Sequence, residues 1–149
     1  MIKVITCTLL VTLFLACDSR DVPAVPDTGI VGAWRWTGTY GGLTGQLAVT
    51  PETTGTEVLL ELGDDARYTV ISNGVERQAG TYALTFEESI YDGAEARYIT
   101  FSPRGSDKVS ISRSGVYALF DGIIRVNENN ELSISDNHYD GVGSIFVRR

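Results

Sequence analysis

From Ile30 to Arg149 the apolar residues recur at every second position in short runs, and almost none recur at helical spacing. A period of two places successive side chains on opposite faces of an extended chain, so a sequence built this way folds as strands with one buried face. In AWRWTGTY, Trp34, Trp36 and Tyr40 alternate with Arg35, Thr37 and Thr39, and in TEVLLEL Val58, Leu60 and Leu62 share a side. Asn73-Gly74 separates RYTVIS from VERQAGTYALTF, and these two residues accept the positive φ that a two-residue hairpin turn demands. Further strands are expected at ARYITF, KVSISR, VYALF, IIRV, ELSIS and GSIFVRR. The pattern predicts an all-β domain, an antiparallel eight- to nine-stranded up-and-down barrel, with a two-sheet β-sandwich as the alternative. Closure would leave no edge strand open to unwanted pairing, but alternation alone does not distinguish the two. The longest connection, Gly41 to Gly55, fits a partial strand, an Ω-loop or a lid. The triplets Tyr91-Asp92-Gly93, Phe120-Asp121-Gly122 and Tyr139-Asp140-Gly141 read as turns.

The segment ahead of this domain follows different rules. Lys3 precedes an apolar run from Val4 to Ala16 broken only by three threonines, too short for the ~20 residues of a spanning helix. A positive start, a short apolar centre and a small residue at its end predict a secretory signal over residues 1–16. Phe14-Leu15-Ala16-Cys17 resembles the lipobox of bacterial lipoproteins, which implies cleavage before Cys17 and acylation of that cysteine. The alternative is an ordinary signal or an uncleaved anchor. Cysteine counting favours lipidation: Cys7 leaves with the signal, and Cys17 would otherwise be a lone thiol in an oxidising compartment. Several acyl chains on one residue hold a protein at a membrane far better than the marginal binding of one. Residues 17–29 contain two prolines and four charges and predict a tether, and Asp18 to Gly29 would reach on the order of 35 Å if extended. The expected location is the cell envelope, lipid-anchored, at the outer membrane and facing either the periplasm or the surface. Asp18, beside the cysteine, leaves inner against outer membrane open.

Charge narrows the partners. All 19 acidic residues follow Ala16 and 11 of the 12 basic ones do, so the remainder carries 11 − 19 = −8. Such a balance repels phosphate backbones, and nucleic acid is not an expected partner. His138 is the only histidine and sits in the turn-like SDNHYDG. A hydroxyl nucleophile needs a neighbouring base and a zinc site several His or Cys ligands, so no catalytic residue, metal site or cofactor is assigned. Asp121, Asp136 and Asp140 lack the calcium-loop spacing and read as turn residues. A carboxylate pair for glycoside hydrolysis remains an alternative, although no spacing selects one.

Gly32-Ala33-Trp34 resembles the G-x-W signature of lipocalins, and the stretches TPETTG, ARYTV, GTY and DNHYDGVGSIFVRR are similar to small lipocalin-like lipoproteins of Gram-negative bacteria. This resemblance covers residues 30–149. It implies a barrel in which Trp34 closes the narrow end and a late arginine, here Arg148, packs over its ring, with Gly32 completing the signature. Trp36 and Tyr40 would then follow on the same inward face toward the mouth as candidate ligand-lining residues, with simple core filling as the alternative. The expected function is non-enzymatic binding of a small apolar molecule or glycan. The alternative is a filled barrel acting as a structural or protein-interaction component of an envelope complex.

Overall fold

The structure, a computed structural model, describes residues 29–41, 47–104 and 119–149. Strands β1 (Gly32–Gly41), β2 (Leu47–Val49), β3 (Val58–Leu62), β4 (Arg67–Ser72), β5 (Val75–Glu88), β6 (Glu95–Pro103), β7 (Gly122–Val126), β8 (Glu131–Ser135) and β9 (Val142–Arg148) form one antiparallel sheet. From β3 to β9 each strand pairs with the next, and β9 returns to pair with β1. The fold is therefore a closed eight-stranded up-and-down barrel, not a sandwich. β2 is a short addition: β3 occupies the edge of β1 from Gly32 to Arg35, and β2 takes the same edge at Thr39 and Tyr40. The long connection thus contains a partial strand, followed by the one-turn helix α1 (Pro51–Thr54). Thr50 and Thr53 cap that turn reciprocally, and Gly55 ends it in the left-handed conformation.

The β4–β5 turn is the two-residue hairpin that Asn73-Gly74 announces, with φ of 49° and 77°. Both residues take the positive φ of a type I′ turn, and the Asn73 side chain also accepts the Glu57 N–H at 2.8 Å. Alternation buries Trp34, Trp36, Leu60, Tyr68, Val70, Ile99, Ile124, Leu132, Ile134 and Phe146. These side chains converge from all around the wall and occupy the interior. The proposed strand KVSISR and most of VYALF lie outside the described residues, as do the signal segment, Cys17 and the tether up to Thr28.

One irregularity decides which way the end of β1 faces. Trp36 pairs with Phe146 but Gly38 pairs with Ile145, so Thr37 is an extra residue on β1. This β-bulge reverses the inward and outward parity beyond it. Thr37 turns its hydroxyl to the Ile145 carbonyl at 3.1 Å, and Thr39, not Tyr40, then faces the core beside Ser144.

Candidate functional site

At one end of the barrel Gly32, Trp34 and Arg148 form a plug. Trp34 is fully buried, and its indole N–H donates to the Ile30 carbonyl at 2.6 Å. The Arg148 guanidinium carbon lies 4.2 Å from the centre of the Trp34 ring, while its two terminal nitrogens donate to the carbonyls of Val31 (3.1 Å) and Gly29 (2.6 Å). A Cβ on Gly32 would stand 2.6 Å from Arg148 Nη1, so the guanidinium reaches the ring across a position that has no room for a side chain. The three residues are one packing unit. Their contacts are internal.

Trp36 is buried as completely. Its indole N–H donates to Thr39 Oγ1 at 3.1 Å, and Thr39 Oγ1 lies 2.9 Å from Ser144 Oγ, a polar relay enclosed by the core. A buried indole with its donor satisfied has no demand for a ligand. Tyr40 does not share its face. The bulge at Thr37 sends Tyr40 to the outside, where its ring lies over Gly143 and its hydroxyl sits 3.0 Å from Ser135 Oγ. The expected inward pair Trp36 and Tyr40 is therefore corrected: one side chain belongs to the core and the other to the outer wall.

That outer wall carries a concavity. Register places Tyr98, Ile123, Ser135, Gly143 and Tyr40 in one outward row across β6, β7, β8, β9 and β1, with Arg125 and Ser133 in the row beside it. The β5–β6 hairpin is long and β6 meets β7 through only Tyr98 and Ile99 among the described residues, so the hairpin tip is free to lean over this wall. It meets the β8–β9 loop there. Asn137 clamps the tip with both ends of its amide, accepting the Ile90 N–H at 3.0 Å and donating to the Glu88 carbonyl at 2.9 Å. The Tyr91 hydroxyl donates to the His138 carbonyl at 2.9 Å, and Asp92 pairs with Arg125 at 3.8 Å. Between tip, loop and wall lies a groove of about 490 Å³ lined by Tyr40, Ser89, Tyr91, Ile123, Arg125, Ser133, Ser135, Asp140 and Val142, with Gly41 and Gly141. Its volume is within the ~300–1,000 Å³ typical of small-molecule sites.

The groove's surroundings are acidic. Burial pushes the Tyr98 hydroxyl's pKa up, and the carboxylates of Glu87, Asp121 and Asp136 push the same way. Asp92 is held below the usual carboxylate range by hydrogen bonds from the Ser89 hydroxyl and the Ala94 N–H, with a smaller contribution from Arg125. His138 Nδ1 bonds Asp136 Oδ1 on the exposed side of the loop. The lining itself contains one carboxylate, Asp140, and one guanidinium, Arg125. Among the described residues no three His, Cys, Asp or Glu side chains converge as a metal centre requires. A second concavity of about 480 Å³ lies on another part of the outer wall, between Arg35, Glu57, Leu59, Ile71, Asn73 and Arg149.

Comparison of the chain with protein-family models, with curated proteins and with solved structures finds no match in any of the three.

Of the groove residues only Tyr40 is expected from the sequence as a ligand-lining residue, and it stands on the outer and not the inner face; Tyr91, Asp140 and Gly141 are expected there only as turn residues. The remaining signal is present but quiet. In ELSIS the outward positions are Glu131, Ser133 and Ser135, and Ser135 stands opposite Gly143, so two small residues side by side leave room on the wall for the Tyr40 ring. Asn137 and Tyr91 lie in turns, where composition accounts for them without a site.

Proposed function

We propose that this chain is a lipid-anchored envelope lipoprotein, held by Cys17 at the outer membrane, whose barrel is a non-enzymatic scaffold for binding a small ligand. The ligand is taken by the outer-wall groove under the β5–β6 tip and not by the barrel interior. One observation carries this reading: the interior is occupied by Trp34, Trp36, Tyr68 and Phe146, each with 2% exposure or less, while the groove of about 490 Å³ stands open beside them. A binding role, not a hydrolytic one, fits the lining's single carboxylate, since glycoside hydrolysis uses two.

Native mass spectrometry of the full-length protein, extracted in mild detergent from its own host's membranes, tests the proposal. An adduct that is displaced when Ser135→Trp fills the groove supports it; a clean apo mass, or an adduct indifferent to that change, overturns it. A second reading, docking of an envelope protein, draws on exposed aromatics around the tip and loop, Tyr91 at 59% and Tyr139 at 81%. Co-purification of a stoichiometric protein that is lost on Tyr139→Ser would favour that reading instead.

A further inference from the structure

We propose that the outer-wall groove is a saccharide site, taking a neutral, hydroxyl-rich sugar ring against the face of the Tyr40 ring. This rests on the groove being the binding site and adds the class of ligand. The argument is chemical complementarity. A pyranose has an apolar C–H face and a rim of hydroxyls, each both donor and acceptor. The groove pairs the apolar face of the Tyr40 ring with hydroxyls from Ser133, Ser135 and Tyr40 itself, which are likewise both donors and acceptors.

Other ligand classes fit worse. A purely apolar molecule seated on the Tyr40 ring would strip water from the Ser133 hydroxyl and leave the Tyr40 and Ser135 hydroxyls only the bond to each other, which is costly. An anion would approach Asp140 in the lining and Asp136 behind it, and the one guanidinium, Arg125, is already engaged by Asp92 at 3.8 Å. A cation would meet Arg125. A neutral polyol meets none of these objections, and Asp140 remains able to accept from its hydroxyls.

The groove is also built before any ligand arrives. The Asn137 clamp and the bond from the Tyr91 hydroxyl to the His138 carbonyl fix the tip against the loop, so the wall that would cover the sugar is already positioned. Preorganisation of this kind lowers the ordering cost that weakens most carbohydrate-sized ligands.

The test uses the full-length lipidated protein in nanodiscs, with maltose, cellobiose and N,N′-diacetylchitobiose as saccharide probes and hexanoate as the apolar one, read by backbone amide and indole NMR shifts. The expected result is saturable movement of the Ile123, Ser133 and Ser135 amides with at least one disaccharide, with the Trp34 and Trp36 indole signals still. Ser133→Val and Ser135→Val should each weaken that binding about tenfold, the effect of losing one hydrogen bond to a ligand hydroxyl, with unchanged indole signals reporting an intact core. Movement of the same amides by hexanoate and by no disaccharide overturns the saccharide assignment while leaving the groove as the site. Disaccharide binding that both valine variants leave untouched also overturns the assignment. No movement of the groove amides with any probe overturns the assignment and the groove reading together.

Discussion

At Gly143 the lack of a side chain makes room for a neighbour's. A Cβ there would stand 2.3 Å from Cζ of Tyr40 and 2.4 Å from its hydroxyl oxygen. Gly143→Ala therefore drives the ring off its strand and breaks the bond between Tyr40 and Ser135. The expected cost is about 1–2 kcal/mol in denaturant unfolding, from the lost hydrogen bond and the displaced ring. In a Tyr40→Ala background the same substitution should cost much less, because the atoms it strikes are gone. An equal cost in both backgrounds would show that the ring does not lie over Gly143. Tyr40 also marks where the sequence could be read and where it could not. Trp34 and Trp36 alternate and are buried as expected, but the run T-G-T-Y continues the visible period past the extra residue, Thr37. Gly38 has no side chain to betray the change of face. Only the partner strand, with Ile145 opposite Gly38 and Ser144 opposite Thr39, reveals that the parity has reversed.

The β5–β6 tip is an element held by a few polar contacts at its far end. Asn137→Ala removes both ends of the clamp, on Ile90 and on Glu88. Because the tip extends beyond the pairing with β7, its release should leave the barrel's midpoint of unfolding within about 1 kcal/mol of the parent, typical for a change away from the core. Amide exchange at Ile90, Tyr91 and Ala94 should nevertheless rise at least tenfold, and unchanged exchange would rule out the clamp. Acid should loosen the same element through Asp92. Its carboxyl is held below its ordinary value of 3.8 by Ser89 and Ala94, so ionisation is favoured in the folded tip. The stabilisation is fully present above pH 3.8 and is lost as pH falls through the depressed folded value. An NMR titration following the Ala94 amide should give a midpoint below 3.8, and one at or above 3.8 would contradict the hydrogen bonds assigned to the carboxylate. None of this coupling is legible in the sequence. YDG at residues 91–93 and at 139–141 correctly signals turns, yet a turn signal does not say which other turn it will touch.

For the whole molecule, closure is the step that alternation left undecided and that the β1–β9 pairing resolves. β1 can pair along one edge with β9 and along the other with β3 and β2 because the barrel returns to its starting strand. The closed wall encloses an interior occupied by buried aromatic side chains, which is why the proposed ligand site is on the outer wall, and under that proposal the domain's orientation at a membrane would decide what the groove can meet. A neutral surface saccharide is presented at high local concentration only to a domain tethered within reach of it. Under the proposed function, attachment through Cys17 would supply that confinement, and a tether reaching on the order of 35 Å if extended would keep the groove accessible. Cys17→Ser should abolish acylation, so that radiolabelled palmitate no longer enters the protein and it leaves the detergent-extractable membrane fraction. The barrel should be unaffected, with the same near-ultraviolet circular dichroism from Trp34 and Trp36, since Cys17 lies ahead of every strand among the described residues. Retention of the serine variant in the membrane fraction would mean that the apolar run ending at Ala16, or the barrel itself, holds the protein there, and would remove the tether from the account of how the groove is presented.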